Sequence, residues 1–565
     1  MDRLFTEEER RLLARYVTDT DGDIFAVSGL EGIVGAIYAR YSRAPGGFRE
    51  TLLKEFIREE RLDAKRAQDL IERVLIAFGD DSVGELEGAH MSFENISILA
   101  TKEIEDRRIG GSPIEQSTRY VFYDQRDQKG CFRYYRDPEV MESDHATEYV
   151  ATMDFIFGTY CDLIEPMQEY YRGLKPLATA AYDIDGDGET ERLRDLRDSA
   201  DIKAFRRTYK TDIRTRACDT LRYLLPIATR TNVGVFGNGR FFQNVLSHCY
   251  SHPLPEVRAI AERGHAQLDA VMPRYVKRAR PLDYVIRNRA RMVRLAAELF
   301  RDVRPEQEEP LVLLDRGEDT LAARLAGGAP DAAALRRAHQ DEADCLTISL
   351  MLYPYLTHPL RQIRRTIRVW DEIMRRRVIE TYVGERQTRR DRPGRAFEGG
   401  YPYTFDLLTD FGTYKDLMRH RMSTQLRQRF TPLLGFSLPP DLKEAGFADR
   451  AEACRDRAMA LYRRLTPDFP EAASYATLHG SLVRWVMGIN DRSLHHLIEL
   501  RTTPQGHPSY RQVAQAMYRA VKERSPWRAE VMRFTDHDDY SWSRAASEAR
   551  QRAKERELDS VSGAS

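Results

Sequence analysis

Apolar residues recur three and four positions apart in five long stretches of this chain: Phe48 to Glu60, Ala64 to Phe78, Arg287 to Val303, Arg361 to Thr381 and Ala451 to Leu465. That spacing predicts helices with one face turned to a core. Strand-like runs are fewer. Tyr403-Thr-Phe-Asp-Leu-Leu predicts a strand, followed by a helix from Tyr414 to Arg419. The apolar run Ile96 to Ala100 leads into a helix from Thr101 to Arg108 and then to Gly110-Gly111, where backbone amides turn toward a ligand with no Cβ in the way. An excess of helix over strand predicts an α+β fold. Between Arg361 and Arg395 arginine is dense, but Ile363, Ile367, Trp370, Ile373 and Met374 recur at helical spacing. The arginines are therefore expected on the wet face of an amphipathic helix rather than in a nucleic-acid groove.

Polar chemistry concentrates at two places. From Arg107 to Tyr120 the residues Arg107, Ser112, Glu115, Ser117, Arg119 and Tyr120 predict an anion loop, with the Ser117 hydroxyl and the Arg119 fork suited to a phosphate. Far downstream, Arg419-His420-Arg421 gathers cationic or titratable groups at one helix end. Asn490 to Arg501 predicts a helix on which Arg492 and Arg501, nine residues apart, share a side. A fixed order then occurs twice: Phe-Glu (Phe93-Glu94, Phe397-Glu398), an arginine-rich helix end, Asn-x-Arg (Asn238 to Arg240, Asn490 to Arg492) and His-Pro (His252-Pro253, His507-Pro508). Such an order predicts a tandem duplication. The polar, proline-bracketed segment Arg304 to Glu309 places the division. One copy covers 1–303, the other 310–545, and 546–565 is a charged tail. The longer stretch from Arg107 to Asn238 puts an insertion in the first copy near 160–205.

Composition adds exclusions. With 88 basic and 88 acidic residues the chain is formally neutral, which argues against a general nucleic-acid coat. Six cysteines without a Cys-x-x-Cys pair read as reduced thiols of a cytoplasmic protein. No apolar run approaches the roughly 20 residues of a membrane span. Asp183-Ile-Asp185-Gly-Asp187-Gly resembles the start of a calcium loop, but Arg194 stands where its last carboxylate belongs. His248 and His252 lie four apart with Pro253 after them and no evident carboxylate, so no metal is expected.

Ser112, Glu115, Ser117, Arg119 and Tyr120 match, in order and spacing, the nucleotide-binding signature of the flavin-dependent thymidylate synthases, which begins Arg-His-Arg and ends Ser-x-Arg-Tyr. The chain resembles that family in both halves. Arg107 fits the first arginine, with Arg108 and Ile109 in place of His and Arg. Arg419-His420-Arg421 restores the opening, with Arg429 and Thr431 in place of the loop's Ser and Arg. The resemblance implies two α+β domains, each with helices against a modest mixed sheet. It implies FAD as cofactor, dUMP as substrate, NADPH and methylenetetrahydrofolate as cosubstrates, and dTMP as product.

Carried over residue by residue, the resemblance puts Glu115, Ser117, Arg119 and Arg222 on the nucleotide and makes Arg501 the arginine that orients the uracil ring. Arg222 is identified by lying sixteen residues before Asn238. His90, Glu94, Asn238, Arg240, Arg419, His420, Arg421, Asn490 and Arg492 fall to the flavin. The family's four-subunit assembly implies a homodimer of the duplicated chain. Cys249 occupies the ring-orienting position of the first half, and Ser474 the position of Arg222 in the second. Each copy holds what the other lacks, which implies a composite site. Two alternatives stay open: flavin-dependent modification of another pyrimidine nucleotide, or a non-catalytic nucleotide-binding paralogue.

Overall fold

The alternating segment at Tyr403 forms a strand in the computed structural model of the chain, which describes residues 5–31, 33–41, 47–58, 61–63, 84–107, 109–184, 189–314, 332–387, 391, 394–398, 403–540 and 542. In chain order the main elements are α1 (Val34–Tyr41), β1 (Gly88–Ser97), α2 (Ile98–Glu105), β2 (Gly111–Glu115), α3 (Ala146–Asp162), α4 (Ser199–Leu221), β3 (Arg230–Asn238), α5 (Gly239–Tyr250), α6 (Pro255–Val271), α7 (Asp283–Leu299), β4 (Leu311–Leu314), α8 (Ala332–Leu352), α9 (Leu360–Arg368), α10 (Glu372–Val383), β5 (Tyr403–Asp410), α11 (Phe411–Leu417), β6 (Ser423–Arg427), α12 (Ala448–Leu465), β7 (Leu482–Ile489), α13 (Asp491–Arg501) and α14 (Pro508–Arg524). Helix dominates, and the sheets are small, as an α+β fold requires. The pairs β2–β3, β6–β7, β5–β7 and β4–β5 are antiparallel, where a mixed sheet was expected.

Two compact units form, and they interleave along the sequence. One comprises Met1–Ile96, Ala100–Glu115 and Thr231–Ile286; the other comprises Ser97–Leu99, Gln116–Arg230 and Arg287–Ser565. Neither begins or ends at the Arg304–Glu309 segment. The first unit carries the sheet ordered β1-β3-β2, and the second the sheet ordered β6-β7-β5-β4.

Both β5 and β7 are buried along their whole length. A charged residue in such a strand needs a partner. Arg484 of β7 meets Asp406 of β5 at 3.3 Å and Glu308 at 2.7 Å, while Asp406 also accepts from the Tyr353 hydroxyl at 2.9 Å. Beside them Leu295, Ile348, Met351, Ile363, Ile367 and Val486 build a core from α7, α8, α9 and β7.

Several sequence expectations shift in the structure. The segment from Arg107 to Tyr120 is not one loop: Gly111 to Glu115 pair with β3, from Gly111 opposite Gly237 to Glu115 opposite Val233. Gly110, at φ +84°, makes the turn into that strand. The helix expected from Thr101 absorbs part of the apolar run and starts at Ile98, and the one expected from Tyr414 starts at Phe411. Arg361 to Thr381 is two helices, because Asp371 caps a new one by accepting from the Met374 amide at 2.8 Å. The break resets the helical phase, which leaves Ile373 80% exposed while Ile363 and Ile367 stay buried. Arg364 is buried rather than wet and pairs with Glu342 at 3.0 Å. Phe48 to Glu60 gives only a short helical segment, Phe48 to Phe56, before a two-residue strand. The expected helix Ala64 to Phe78 lies outside the described residues, as does Asp185 to Gly188 of the calcium-like segment.

One order of elements appears twice: strand, helix, strand, then a long helix, a strand ending in an Asn cap, and two helices, the second opened by proline. The first round is β1, α2, β2, α4, β3, α5, α6, with α3 inserted between β2 and α4; the second is β5, α11, β6, α12, β7, α13, α14. Strand order agrees, β1-β3-β2 against β5-β7-β6. Individual hydrogen bonds agree too. The Ile98 and Leu99 amides donate to the Thr229 and Ile227 carbonyls at 2.9 and 3.0 Å, and the Phe411 and Gly412 amides to Ser481 and His479 at 3.0 and 3.1 Å. In the second unit the segments entering β3 and β7 pair with each other, with Pro226 opposite Leu478.

Candidate functional site

The second unit gathers Ser117, Arg119, Arg222, Arg419, His420 and Arg501, residues drawn from both halves of the sequence. After β2 the chain turns at Gln116 to Tyr120, where the Ser117 hydroxyl accepts from the Arg119 amide at 3.2 Å. The turn delivers Arg119 to Asp219 near the end of α4, where Nε and Nη2 donate to the two carboxylate oxygens at 2.7 and 2.9 Å. One turn later in sequence, Arg222 caps α4 and is fully buried. Its Nη1 donates to Asp416 at 3.1 Å, whereas its Nε and Nη2 are buried without an acceptor. Buried guanidinium donors are costly to leave unmet.

The second half supplies the opposite wall. At the end of β5, Asp410 caps α11 by accepting from the Thr413 amide at 2.8 Å and the Thr413 hydroxyl at 2.7 Å. Gly412, next to that cap, admits Arg222: a Cβ there would lie 2.9 Å from Arg222 Nη2. Asp416 follows on α11, then Arg419, the buried His420 and the exposed Arg421. Arg501 ends α13 and donates through Nε to His420 Nε2 at 3.0 Å. The Arg501 guanidinium carbon lies 5.5 Å from the centre of the Tyr510 ring, and that of Arg119 lies 5.8 Å from the same centre. Two arginines 382 positions apart in sequence thus meet one aromatic ring at cation–π range.

Charge is unevenly distributed there. Burial opposes ionisation of Asp416, but Arg222, Arg119, Arg419 and Lys415 outweigh it and hold the carboxyl well below the usual range. Asp219 behaves alike: burial opposes ionisation and the Arg119 guanidinium overcomes it. Burial dominates at Asp410 and raises its carboxyl. Burial, then Arg222, pushes His507 well below the ordinary imidazole value, so it is neutral. Its ring joins a chain of contacts: Thr413 Oγ1 to Ser509 Oγ at 2.7 Å, Ser509 Oγ to His507 Nδ1 at 2.9 Å, and His507 Nε2 to the Asp219 carbonyl at 3.4 Å. Four cations acting on Asp416, beside unmet guanidinium donors of Arg222, suit a small multivalent anion.

Other expected residues take different surroundings. Glu115 is buried in the first unit and accepts from Lys102 Nζ and the Thr101 hydroxyl, both at 3.0 Å, rather than facing outward beside Ser117. His90 and Glu94 are exposed on β1, His90 with its ring 4.9 Å from that of Phe236. The Asn238 side chain caps α5 by accepting from the Phe241 amide at 2.8 Å, and Arg240 pairs with Glu85. Asn490 caps α13 in the same way, accepting from Ser493 at 3.0 Å, and Arg492 is exposed. Asp219, Asp410, Asp416, His507, Ser509 and Tyr510 were not anticipated. Only His507 carried a signal, its place in the repeated His-Pro pair.

The pair His248 and His252 does gain a carboxylate, Glu103, whose Oε2 lies 3.2 and 3.4 Å from their Nε2 atoms. Arg107 Nη2, however, sits 2.9 Å from His248 Nδ1. An arginine can only donate, so the His248 proton belongs on Nε2 and is donated to Glu103, which leaves neither ring nitrogen of His248 a free lone pair for a metal. Among the described residues no group of His, Cys, Asp and Glu is arranged to hold a metal ion. No described helix is long and apolar enough to cross a membrane. Cys249 is buried beside these groups, and burial pushes its thiol up to about 12.

The family described as thymidylate synthase complementing protein matches residues 33–274 and 372–527 of the chain. A UPF0159 protein of Chlamydia muridarum is 35% identical over 97% of this chain and 99% of its own length. A UPF0159 protein of Chlamydia pneumoniae is 34% identical over 97% and 98%, and one of Thermoplasma acidophilum 28% identical over 92% and 98%.

Proposed function

The chain belongs to the thymidylate synthase complementing protein family, and we propose that it is a flavin-dependent thymidylate synthase-like enzyme acting on dUMP. In this reading methylenetetrahydrofolate supplies the carbon, NADPH the reducing equivalents, and dTMP is the product. One observation carries the proposal: Arg119 and Arg501 both lie within cation–π range of the Tyr510 ring, and Arg222, buried with two unmet donors, acts with Arg119 on Asp416. A nucleotide monophosphate supplies an anion for Arg222 and the free edge of Arg119, and a polarised ring carbonyl for Arg501. Ser117 adds a hydroxyl. Fixed donors aimed at developing negative charge stabilise it without reorganisation.

We read the repeated order of elements as a tandem duplication, 1–303 and 310–545, in which the first copy contributes the phosphate arginines and the second His420 and Arg501. A homodimer in the cytoplasm is the assembly this implies.

FAD fits the residues present at its anionic end. Arg421 and Arg492 are both exposed and flank the end of the β6–β7 pair, where Ser423 lies opposite Ile489. They offer cations for a diphosphate, with Arg419, His420 and Asn490 beside them in sequence. His90, Glu94, Asn238 and Arg240 are assigned to the same cofactor. The Asn238 and Asn490 oxygens are committed to helix caps, so their contacts fall to the amide nitrogens. When bound, the flavin supplies hydride transfer. The protein's part is to hold the uracil ring, exclude water and stabilise charge.

Asp219 already occupies two N–H groups of Arg119, and this favours a second reading, nucleotide binding without turnover. The purified protein separates the two. A flavin spectrum, with NADPH-dependent and methylenetetrahydrofolate-dependent conversion of dUMP to dTMP under anaerobic conditions, is expected. Arg119→Lys and Arg501→Lys should each lower turnover at least tenfold, because lysine lacks the planar fork. A flavin-free protein that binds dUMP without product would establish the second reading. Wild-type turnover in either variant would exclude the composite site.

A further inference from the structure

The arginine assigned to the anion does not stand alone: a file of polar groups, buried except for the half-buried Ser509, runs to it from the other half of the sequence. Asp410 at the end of β5 meets the Thr413 hydroxyl at 2.7 Å; Thr413 meets Ser509 at 2.7 Å; Ser509 meets His507 Nδ1 at 2.9 Å; His507 Nε2 meets the Asp219 carbonyl at 3.4 Å. Asp219 then grips Arg119 through both carboxylate oxygens. Four contacts precede Asp219, and the Thr413 and Ser509 hydroxyls and a neutral His507 bring three protons to them. At its far end Asp410 accepts from both the amide and the hydroxyl of Thr413, and burial raises that carboxyl.

The repeat supplies an internal comparison. Glu471 lies 252 residues after Asp219, the same offset that separates Asn490 from Asn238. It also takes an arginine from the turn after the preceding strand: Arg429 Nη2 donates to it at 2.8 Å. That second clamp is on the surface, with side chains 37% and 29% exposed, whereas the Arg119 and Asp219 side chains are 11% and 10% exposed. An exposed pair of this kind contributes little. The buried pair is the one that shares its surroundings with Arg222.

We infer that Asp219 is a positioning residue for the nucleotide phosphate, aligning Arg119 under the control of the Asp410–Thr413–Ser509–His507 file. The inference rests on the function proposed above. Asp219 touches no substrate; it leaves Arg119 Nη1 as the free edge and fixes where that edge points. Because the file starts in the second half and ends on the first, it ties the position of Arg119 to the β5–α11 junction that also admits Arg222.

The test compares Asp219→Asn, Ser509→Ala and, as control, Glu471→Gln in the full-length protein, reading dUMP and deoxyuridine binding by calorimetry together with flavin content and thermal midpoint. Asp219→Asn should weaken dUMP about tenfold or more, since misplacing an aligned group costs up to ~10²-fold, and leave deoxyuridine unchanged. KM for dUMP should rise more than kcat falls. Ser509→Ala should move dUMP affinity in the same direction by a smaller factor, and it decides the matter if Asp219→Asn does not fold. Glu471→Gln should bind dUMP as the unaltered protein does. Equal dUMP affinity in Asp219→Asn and Ser509→Ala overturns the positioning role while leaving the enzymatic proposal intact. A parallel loss for dUMP and deoxyuridine overturns it as well, because it indicates general damage. An unaltered protein that binds no dUMP overturns both.

Discussion

At the scale of single residues, the site depends on a close approach that glycine alone permits. A Cβ at position 412 would stand 2.9 Å from Arg222 Nη2 and 3.0 Å from Asp410 Oδ1. Gly412 lies within α11, where alanine is a better helix former by about 1 kcal/mol. Gly412→Ala therefore sets a gain in helix propensity against displacement of the Arg222 guanidinium. We expect the unfolding free energy to stay within about 1 kcal/mol of the parent. Affinity for dUMP should fall about tenfold, corresponding to ~1.4 kcal/mol of lost binding. Denaturant titration and calorimetry measure the two separately. Unchanged dUMP binding would mean that Arg222 holds no phosphate. Arg119, Arg222 and Arg501 are legible in the sequence because they sit at fixed distances from recognisable motifs. Asp219 and Asp416 are not, because a carboxylate that grips a distant arginine leaves no local pattern: Asp219 finds Arg119 100 residues away, and Asp416 finds Arg222 194 residues away.

Secondary elements were legible where period and cap agreed. The Asn490 to Arg501 helix and the Tyr403 strand follow the expected bounds closely, the helix because a clear hydrophobic period follows a capping residue and the strand because apolar residues fill its alternate positions. Arg361 to Thr381 misled because its apolar spacing continues smoothly through Asp371, whose side chain nevertheless starts a new helix. Asn490 allows the structural and ligand roles of a cap to be separated. Its oxygen accepts from Ser493, and replacing such a cap by alanine costs about 1 kcal/mol. Serine also caps well but carries no amide nitrogen. Asn490→Ala should lower the thermal midpoint, and Asn490→Ser should restore it. If Asn490 also contacts flavin, Asn490→Ser will purify with less bound flavin than the parent despite its regained stability, as visible absorbance per chain will report. Full flavin in the serine variant would confine Asn490 to capping.

At the scale of the whole chain, two rounds of the same elements do not amount to two equivalent sites. The positions matching Arg119, Arg222 and Arg501 in the other round hold Thr431, Ser474 and Cys249. Thr431 spends its hydroxyl on the Leu433 amide at 3.1 Å; Ser474 is buried in a tight helical turn; Cys249 is buried with its thiol protonated at neutral pH. None carries the charge that a phosphate dianion needs on leaving water. In the second unit the strands' entry segments pair directly, Pro226 against Leu478, so the two rounds meet at matching positions while their chemistry has diverged. Equilibrium titration of the full-length protein should therefore find one dUMP per chain rather than two, with a single affinity. Arg222→Met should abolish that binding without exposing a weaker class. Two dUMP per chain would show that Thr431, Ser474 and Cys249 still serve a nucleotide, and the division of labour between the two halves would have to be abandoned.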